Sequence, residues 1–290
     1  MRLVGFLLYF FGIGLIQSRQ EEEGDGMSSI NDYYNVLYDE WGRLDRHRLE
    51  LEITKRVLDE YIPEKSDILD VGGGPGRYSI YLAQKGHDVT LFDLSKKLVE
   101  QAAANAQKHG VTLRQTICGS VLELDAHLPD SYYDAVLCMG PMYHLLEEEE
   151  RKEAVRQCLA RLKHGGVLIV SFISVFAPIF DLMCRCPEEI SENKDWLLNN
   201  FTDGRNSDIT GFTQAYFIDP ADILPFFSEF QIQKLRLIAQ EGLGMPLEGR
   251  LMQLPDDKFR EWVDLLYMIA DHEAVYGACN HLLYVGRKML

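Results

Sequence analysis

Residues 66–78, Ser-Asp-Ile-Leu-Asp-Val-Gly-Gly-Gly-Pro-Gly-Arg-Tyr, decide the fold. Ile68-Leu69-Asp70-Val71 reads as a short apolar strand carrying one carboxylate, and Arg77 to Lys85 reads as a helix closed by Gly86. The glycines between them let the backbone turn tightly and approach a ligand with no Cβ in the way. The helix that follows offers unpaired N–H groups to an anion. Twenty-one residues after Gly72, Asp93 ends a second apolar run, Val89 to Asp93, where a carboxylate can accept hydrogen bonds from both hydroxyls of a ribose. Loop and acid together imply a nucleoside cofactor.

Outward from this segment, short β-rich runs alternate with helical patterns, which predicts a parallel sheet covered by helices. Ser95 can cap a helix that places Leu98, Val99, Ala102, Ala103 and Ala106 on one face before Gly110 ends it. Leu113 to Cys118 and Ala135 to Met139 are the third and fourth strands. Glu147 to Leu162 is a helix; its four leading carboxylates, Glu147 to Glu150, point around the axis instead of converging, as a solvated, dipole-complementing N-terminus does. Gly165-Gly166 turns the chain into a fifth strand, Val167 to Phe172. Asp219-Pro220 opens another helix by the capping and first-turn-proline rule. Phe230 to Ala239 and His281 to Val285 are late strands separated by an amphipathic helix around Phe259 to Ala270. Ile30 to Trp41 and Arg46 to Tyr61 are helical patterns that precede the first strand.

Two cofactor classes use a glycine loop followed by a ribose-binding acid. Dinucleotide binding asks for Gly-x-Gly-x-x-Gly, but after Gly72 and Gly74 the third place holds Arg77. Asp70, inside the strand end, suits a ligand carrying an ammonium group and a sulfonium. From Tyr33 to Lys288 the sequence resembles the class I S-adenosylmethionine-dependent methyltransferases. The resemblance rests on the Asp70 to Gly76 loop, Asp93, the strand ending Cys138-Met139-Gly140-Pro141-Met142-Tyr143-His144-Leu145, and the turn Leu162-Lys163-His164-Gly165-Gly166, which in the family is commonly Leu-Lys-Pro-Gly-Gly.

This resemblance implies an α/β, Rossmann-like, seven-stranded and mostly parallel sheet, with an antiparallel last strand inserted between its neighbours and helices on both faces. It implies that Gly72, Gly73, Gly74 and Gly76 line the amino-acid end of S-adenosylmethionine, with Asp70 near its ammonium. Asp93 would bind the ribose, with Leu94 beside the adenine. Where the family often has an acid on the adenine amino group, Ser120 stands at that place in the cofactor site, and the backbone of Val121 could still make the contact. Met139 and Gly140 would pass beneath the transferring methyl group.

Methyl transfer from a sulfonium is an in-line displacement that depends mainly on alignment and exclusion of water. His144, four residues past Gly140, is the candidate general base if the acceptor must lose a proton, and anchoring the loop is its other reading. Tyr143 can orient substrate or pack. Gly-Pro-Met-Tyr differs from the Asn/Asp-Pro-Pro-Tyr-type loop of enzymes that methylate base or glutamine amino groups, which favours a small-molecule acceptor. Tyr33, Tyr34, Tyr38 and Trp41 form an aromatic cluster suited to closing over a cofactor or to core packing. The competing functions are an NAD(P)-dependent oxidoreductase on a related sheet and a non-catalytic, cofactor-binding partner protein.

The chain has 290 residues, 47% hydrophobic and 26% charged, which suits a globular protein with a sizeable core. Its 29 Lys and Arg against 45 Asp and Glu give a net charge of −16. That charge repels phosphate backbones and argues against a nucleic-acid partner. The six cysteines are scattered, and Cys184-Arg185-Cys186 has neither zinc-ribbon nor thioredoxin spacing, so no metal site is expected and a reducing, cytoplasmic compartment is.

Residues 1–26 do not match the rest. Leu3 to Ile16 would span about 21 Å as a helix, short of a bilayer's hydrocarbon core, so no stable membrane span is expected. No small-x-small cleavage motif follows, and the codons of Glu21-Glu22-Glu23-Gly24 can mimic a bacterial ribosome-binding site ahead of Met27. The segment therefore reads as a mis-called start or a short hydrophobic leader. The expected organisation is N-terminal lid helices at 27–65, a cofactor-binding core at 66–174, a lid insertion at 175–216 and the rest of the core at 217–290, as a monomer or homodimer.

Overall fold

The computed structural model describes residues 40–206 and 214–289. The leader at 1–26, Tyr33, Tyr34 and Tyr38 and part of the 175–216 insertion lie outside the described residues.

Helices α1 (Glu40–Arg46) and α2 (Arg48–Tyr61) precede the first strand. Then β1 (Asp67–Val71), α3 (Arg77–Gln84), β2 (Asp88–Asp93), α4 (Lys96–Lys108), β3 (Gln115–Cys118), β4 (Tyr133–Cys138), α5 (Glu148–Arg161) and β5 (Leu162–Ile173) follow in alternation. Ser95 caps α4 as its sequence predicts, its Oγ accepting the Leu98 N–H at 3.2 Å. The insertion forms α6 (Ala177–Arg185), α7 (Ile190–Asp203) and a small ribbon of β6 (Arg205–Asn206) and β7 (Ala215–Tyr216). After it come α8 (Ile223–Phe227), β8 (Ile232–Ala239), α9 (Glu248–Leu251), α10 (Asp256–Ile269) and β9 (His281–Lys288). β5 runs longer than the pattern suggests, because Leu162 already pairs with Tyr133 before a register shift across Gly165-Gly166.

The seven-stranded sheet has the order β3-β2-β1-β4-β5-β9-β8. Strands β1 to β5 are parallel, whereas β9 pairs antiparallel with both β5 and β8. The last strand is thus wedged between two earlier ones, as the family resemblance implies.

Alternate residues of each strand enter two apolar layers, one per face. On one face Leu69, Val136, Leu168 and Tyr284 pack with Val155 and Cys158 of α5 and Phe227 of α8. On the other, Ile68, Leu91, Leu137, Ile169 and Leu283 pack against Ile53 of α2, Ile80 of α3, Ala102 of α4 and Phe259 and Val263 of α10. Each of these large side chains contributes about 1.5–3 kcal/mol by leaving water. All six cysteines are free thiols, four of them buried. No helix among the described residues is long and apolar enough to cross a membrane.

Candidate active site

The strand order reverses between β1 and β4, and open α/β sheets place ligands at the carboxyl edge of such a switch point. A cavity of about 190 Å³ lies there. Every candidate site residue read from the sequence reaches its lining except Gly76, which sits one step behind as the N-cap of α3.

The cavity is narrow at the crossing of two loops. Gly72 has φ +71°, and a Cβ on it would stand 2.6 Å from Cδ of Pro141; a Cβ on Gly140 would stand 2.9 Å from the Gly72 carbonyl oxygen. Only glycines let the β1 and β4 loops touch, and this contact fixes Met139 and Gly140 against the first loop.

Asp70 is 2% exposed, and Ser79 of α3 donates its hydroxyl to Oδ2 at 2.6 Å. Burial pushes its carboxyl up to about 6; the neighbouring Asp93 adds to this and the Ser79 bond opposes it. Asp93 accepts the Ser95 N–H on Oδ1 and the Gly74 N–H on Oδ2, each at 2.8 Å. Burial also raises its pKa, against those two backbone donors. Each oxygen keeps a lone pair, so the carboxylate can still accept from two ligand hydroxyls. Among the described residues neither acid forms a salt bridge, which leaves two buried carboxylates facing one cavity.

Leu94 is half-exposed at the rim, beside Ser120 and Val121. The Ser120 hydroxyl accepts the Leu122 N–H at 3.3 Å and caps the kinked 3-10 segment Val121–Ala126, so its oxygen is engaged by backbone. Arg77, in the place of a third glycine, donates to Asp45 at 2.7 Å and lies over the ring of Trp41 at 4.8 Å, fastening α1 to α3 beside the loop. Trp41 also meets the His109 ring at 5.2 Å, so of the aromatic cluster this member packs against the core helices.

Tyr143 and His144 follow Gly140 in a short 3-10 turn, their rings 4.5 Å apart. Burial lowers the His144 imidazole to about 4, against a hydrogen bond with the Gln214 backbone. The ring is therefore neutral across the physiological range. Burial raises the Tyr143 hydroxyl well above its ordinary value, so it stays a neutral donor.

Beyond Gly140 the wall is polar, and its residues carry no local motif. Arg43 of α1 donates two parallel bonds to Glu50 of α2, at 2.7 and 2.8 Å, and one to Glu40 at 3.2 Å. Burial alone would raise the Glu50 carboxyl, but the Arg43 guanidinium and His281 hold it down at about 2. Ser171 of β5 donates to the Gln240 amide oxygen, which caps β8; the Gln240 amide donates to Thr54, and Thr54 to the Glu50 carbonyl. His281 completes the wall with Glu241 hydrogen-bonded behind it, and side-chain atoms of Glu50, Glu241 and His281 lie within 4.8 Å of one another. The usable sequence signal was the final hairpin: antiparallel pairing of Ala239 with Leu282 sets Gln240 and Glu241 beside His281.

Residues 68–166 match the family described as a methyltransferase domain. A glycine/sarcosine N-methyltransferase of Parasynechococcus marenigrum is 32% identical over 167 residues, covering 53% of this chain and 57% of its own. A ubiquinone biosynthesis O-methyltransferase of Rickettsia conorii is 31% identical over 156 residues, covering 54% of this chain and 51% of its own. The chain spans about half the length of these curated relatives. A solved S-adenosylmethionine-dependent methyltransferase from Methanosarcina mazei superposes with a TM-score of 0.54 at 17% identity, over 81% of this chain and 97% of that one, a likeness of fold.

Proposed function

We propose that this chain, whose residues 68–166 match a methyltransferase-domain family, is a class I S-adenosylmethionine-dependent methyltransferase that transfers a methyl group from that cofactor to a small-molecule acceptor. The observation that carries the reading is one continuous cavity. Its first half is built by the loops after β1, β2 and β3, and its second by Gly140 to Leu145, Ser171, Gln240 and His281.

The residues of the first half fit the cofactor. Asp70 and Asp93, buried and without a cationic partner among the described residues, suit an ammonium group and a ribose diol, and the glycine crossing leaves the backbone bare where a side chain would fill the space. When bound, the cofactor supplies an electrophilic methyl group on a sulfonium. Asp70 then neutralises the amino-acid end, Asp93 fixes the sugar, and Leu94 and Val121 flank the base. Met139 and Gly140 hold the boundary between the two halves, while Tyr143 and His144 line the acceptor's path and exclude water.

A small acceptor follows from the second half, which α1 and α2 cover, and from a net charge of −16, which disfavours a phosphate backbone. Of the 175–216 insertion, Gln214 meets this half through its backbone, which hydrogen-bonds His144.

Calorimetric titration with S-adenosylmethionine, S-adenosylhomocysteine and NAD(H) tests the reading. Binding of the two adenosyl ligands alone supports it. Binding of NAD(H) alone, or transfer of labelled methyl into RNA and not into small molecules, overturns it.

A further inference from the structure

We infer that His281, held by Glu241, takes the acceptor's proton, and hence that the acceptor attacks through an O–H or N–H group. This rests on the methyltransferase reading above and assigns its proton-transfer step.

His281 is the first residue of β9 and pairs with Ile173 of β5, so it stands at the same sheet edge as Gly140 and lines the cavity while only 7% exposed. Its Nδ1 lies 2.5 Å from Oε1 of Glu241. A carboxylate oxygen accepts, so Nδ1 carries the proton and donates, and the neutral ring keeps its lone pair on Nε2. Glu241 cannot swing away, because its Oε2 accepts the backbone N–H groups of Asn280 at 3.2 Å and of His281 at 3.1 Å. Among the described residues nothing is hydrogen-bonded to Nε2. Ring orientation and tautomer are thus both set by Glu241, which leaves a basic nitrogen available to a molecule in the cavity.

The charged groups around the ring favour its protonated form. Burial pulls the His281 pKa down, but Glu50 of α2, 3.8 Å from Nδ1, and Glu241, two residues past β8, outweigh it, with Arg43 of α1 opposing them; the net direction is upward from the ordinary imidazole value. Glu40 of α1, Tyr78 and Tyr143 line the same cavity. Burial shifts His144 the other way, to about 4, against a hydrogen bond with the Gln214 backbone. The stronger base of the two is His281.

The step balances as follows. The acceptor's heteroatom forms its bond to the methyl carbon as the carbon–sulfur bond breaks, and that electron pair stays on sulfur as a neutral thioether. The heteroatom's proton passes to Nε2 of His281. The imidazolium so formed is stabilised by Glu241 and Glu50 until solvent removes the proton. Glu241 is a positioning residue that acts through His281.

The test compares the wild type with His281→Gln and Glu241→Gln, each given S-adenosylmethionine and a deproteinised small-molecule extract of the source cells. S-adenosylhomocysteine binding is measured by calorimetry and its formation is followed against pH. The proposal expects binding within about threefold in all three proteins and turnover lower by about 10²-fold or more in His281→Gln. In the wild type the ascending limb lies above pH 6.5, and in Glu241→Gln it moves down. Turnover by His281→Gln within about threefold of wild type, or a limb that Glu241→Gln leaves in place, overturns the assignment and leaves the methyltransferase reading intact. No adenosyl-ligand binding by the wild type overturns that reading, and binding without any turnover overturns both. Where a variant does not fold, nitrogen NMR of the wild-type ring decides. An Nδ1–H tautomer titrating above 6.5 supports the proposal; an Nε2–H tautomer, or titration below 6.5, overturns it.

Discussion

Ser79 donates its hydroxyl to Asp70 across 2.6 Å, joining the first turn of α3 to the end of β1 directly beneath the glycine loop. It is the one side-chain hydrogen bond to Asp70 among the described residues, and a bond to a charged acceptor is worth about 1.5–3 kcal/mol. Ser79→Ala should therefore raise the Asp70 carboxyl above about 6 and weaken S-adenosylhomocysteine binding at neutral pH by about tenfold. Calorimetry at pH 7 checks this, and an unchanged affinity would show that the bond does not set the charge on Asp70.

Asp70 itself should trade stability for ligand binding. Its folded pKa, about 6, lies above the ordinary 3.8, so between those values the native state holds more protons than the unfolded chain and stability falls as pH rises. A shift of that size corresponds to about 3 kcal/mol. Asp70→Asn removes the titration. Relative to wild type it should gain about 3 kcal/mol as pH goes from below 4 to above 6, while losing affinity for the cofactor. Urea unfolding of both proteins at the two ends of that window gives the difference directly.

Two glycine substitutions should have opposite signs. A Cβ at Gly72 meets Pro141 at 2.6 Å and must adopt φ +71°, so Gly72→Ala should cost about 2 kcal/mol or more, a fall in melting temperature of roughly 4–8 °C. Gly249, in α9, has open space around its Cβ position and no positive φ. Gly249→Ala should stabilise by about 0.4–1 kcal/mol. Thermal melts of the two variants settle both signs.

His144→Ala should leave the shape of the pH profile unchanged between about pH 5.5 and 9, because an imidazole at about 4 carries no charge anywhere in that window. Its turnover should fall by less than about tenfold, from lost packing against Tyr143. A limb that disappears in this variant would return the proton-accepting role to His144.

The first half of the cavity was legible because its parts are close in sequence. Gly72, Asp70 and Asp93 fall within one strand-loop-helix-strand unit, where spacing alone implies proximity. Ser95 was readable as a cap for the same reason. Ser120 departs from the family's acid, and its hydroxyl caps the following turn. The second half was not legible, since Arg43, Glu50, Gln240, Glu241 and His281 come from elements far apart in the chain. The order of strands in the sheet brings Gln240, Glu241 and His281 together, and the packing of α2 on that sheet adds Glu50 with its partner Arg43. A buried Glu in an amphipathic helix such as α2 has no periodic signature: Glu50 sits among Leu49, Leu51 and Ile53 and reads as an ordinary polar position until Arg43 and His281 are seen around it. Trp41 was readable as an aromatic of the leading helices, but its stacking on Arg77 depends on where α1 crosses α3.

The order of strands in the sheet also differs from the order in which a ribosome makes them. β8 is complete at Ala239, yet its one strand partner among the described residues, β9, begins at His281, and the free edge of β5 waits for that same strand. While the intervening α9 and α10 are being synthesised, two apolar strand edges stay open, the condition in which chains aggregate or recruit chaperones. Arrival of β9 closes both edges and delivers His281 to Glu241 in the same event. A nascent chain therefore gains its protected sheet and its reactive cavity together, and until then it is both vulnerable and inert.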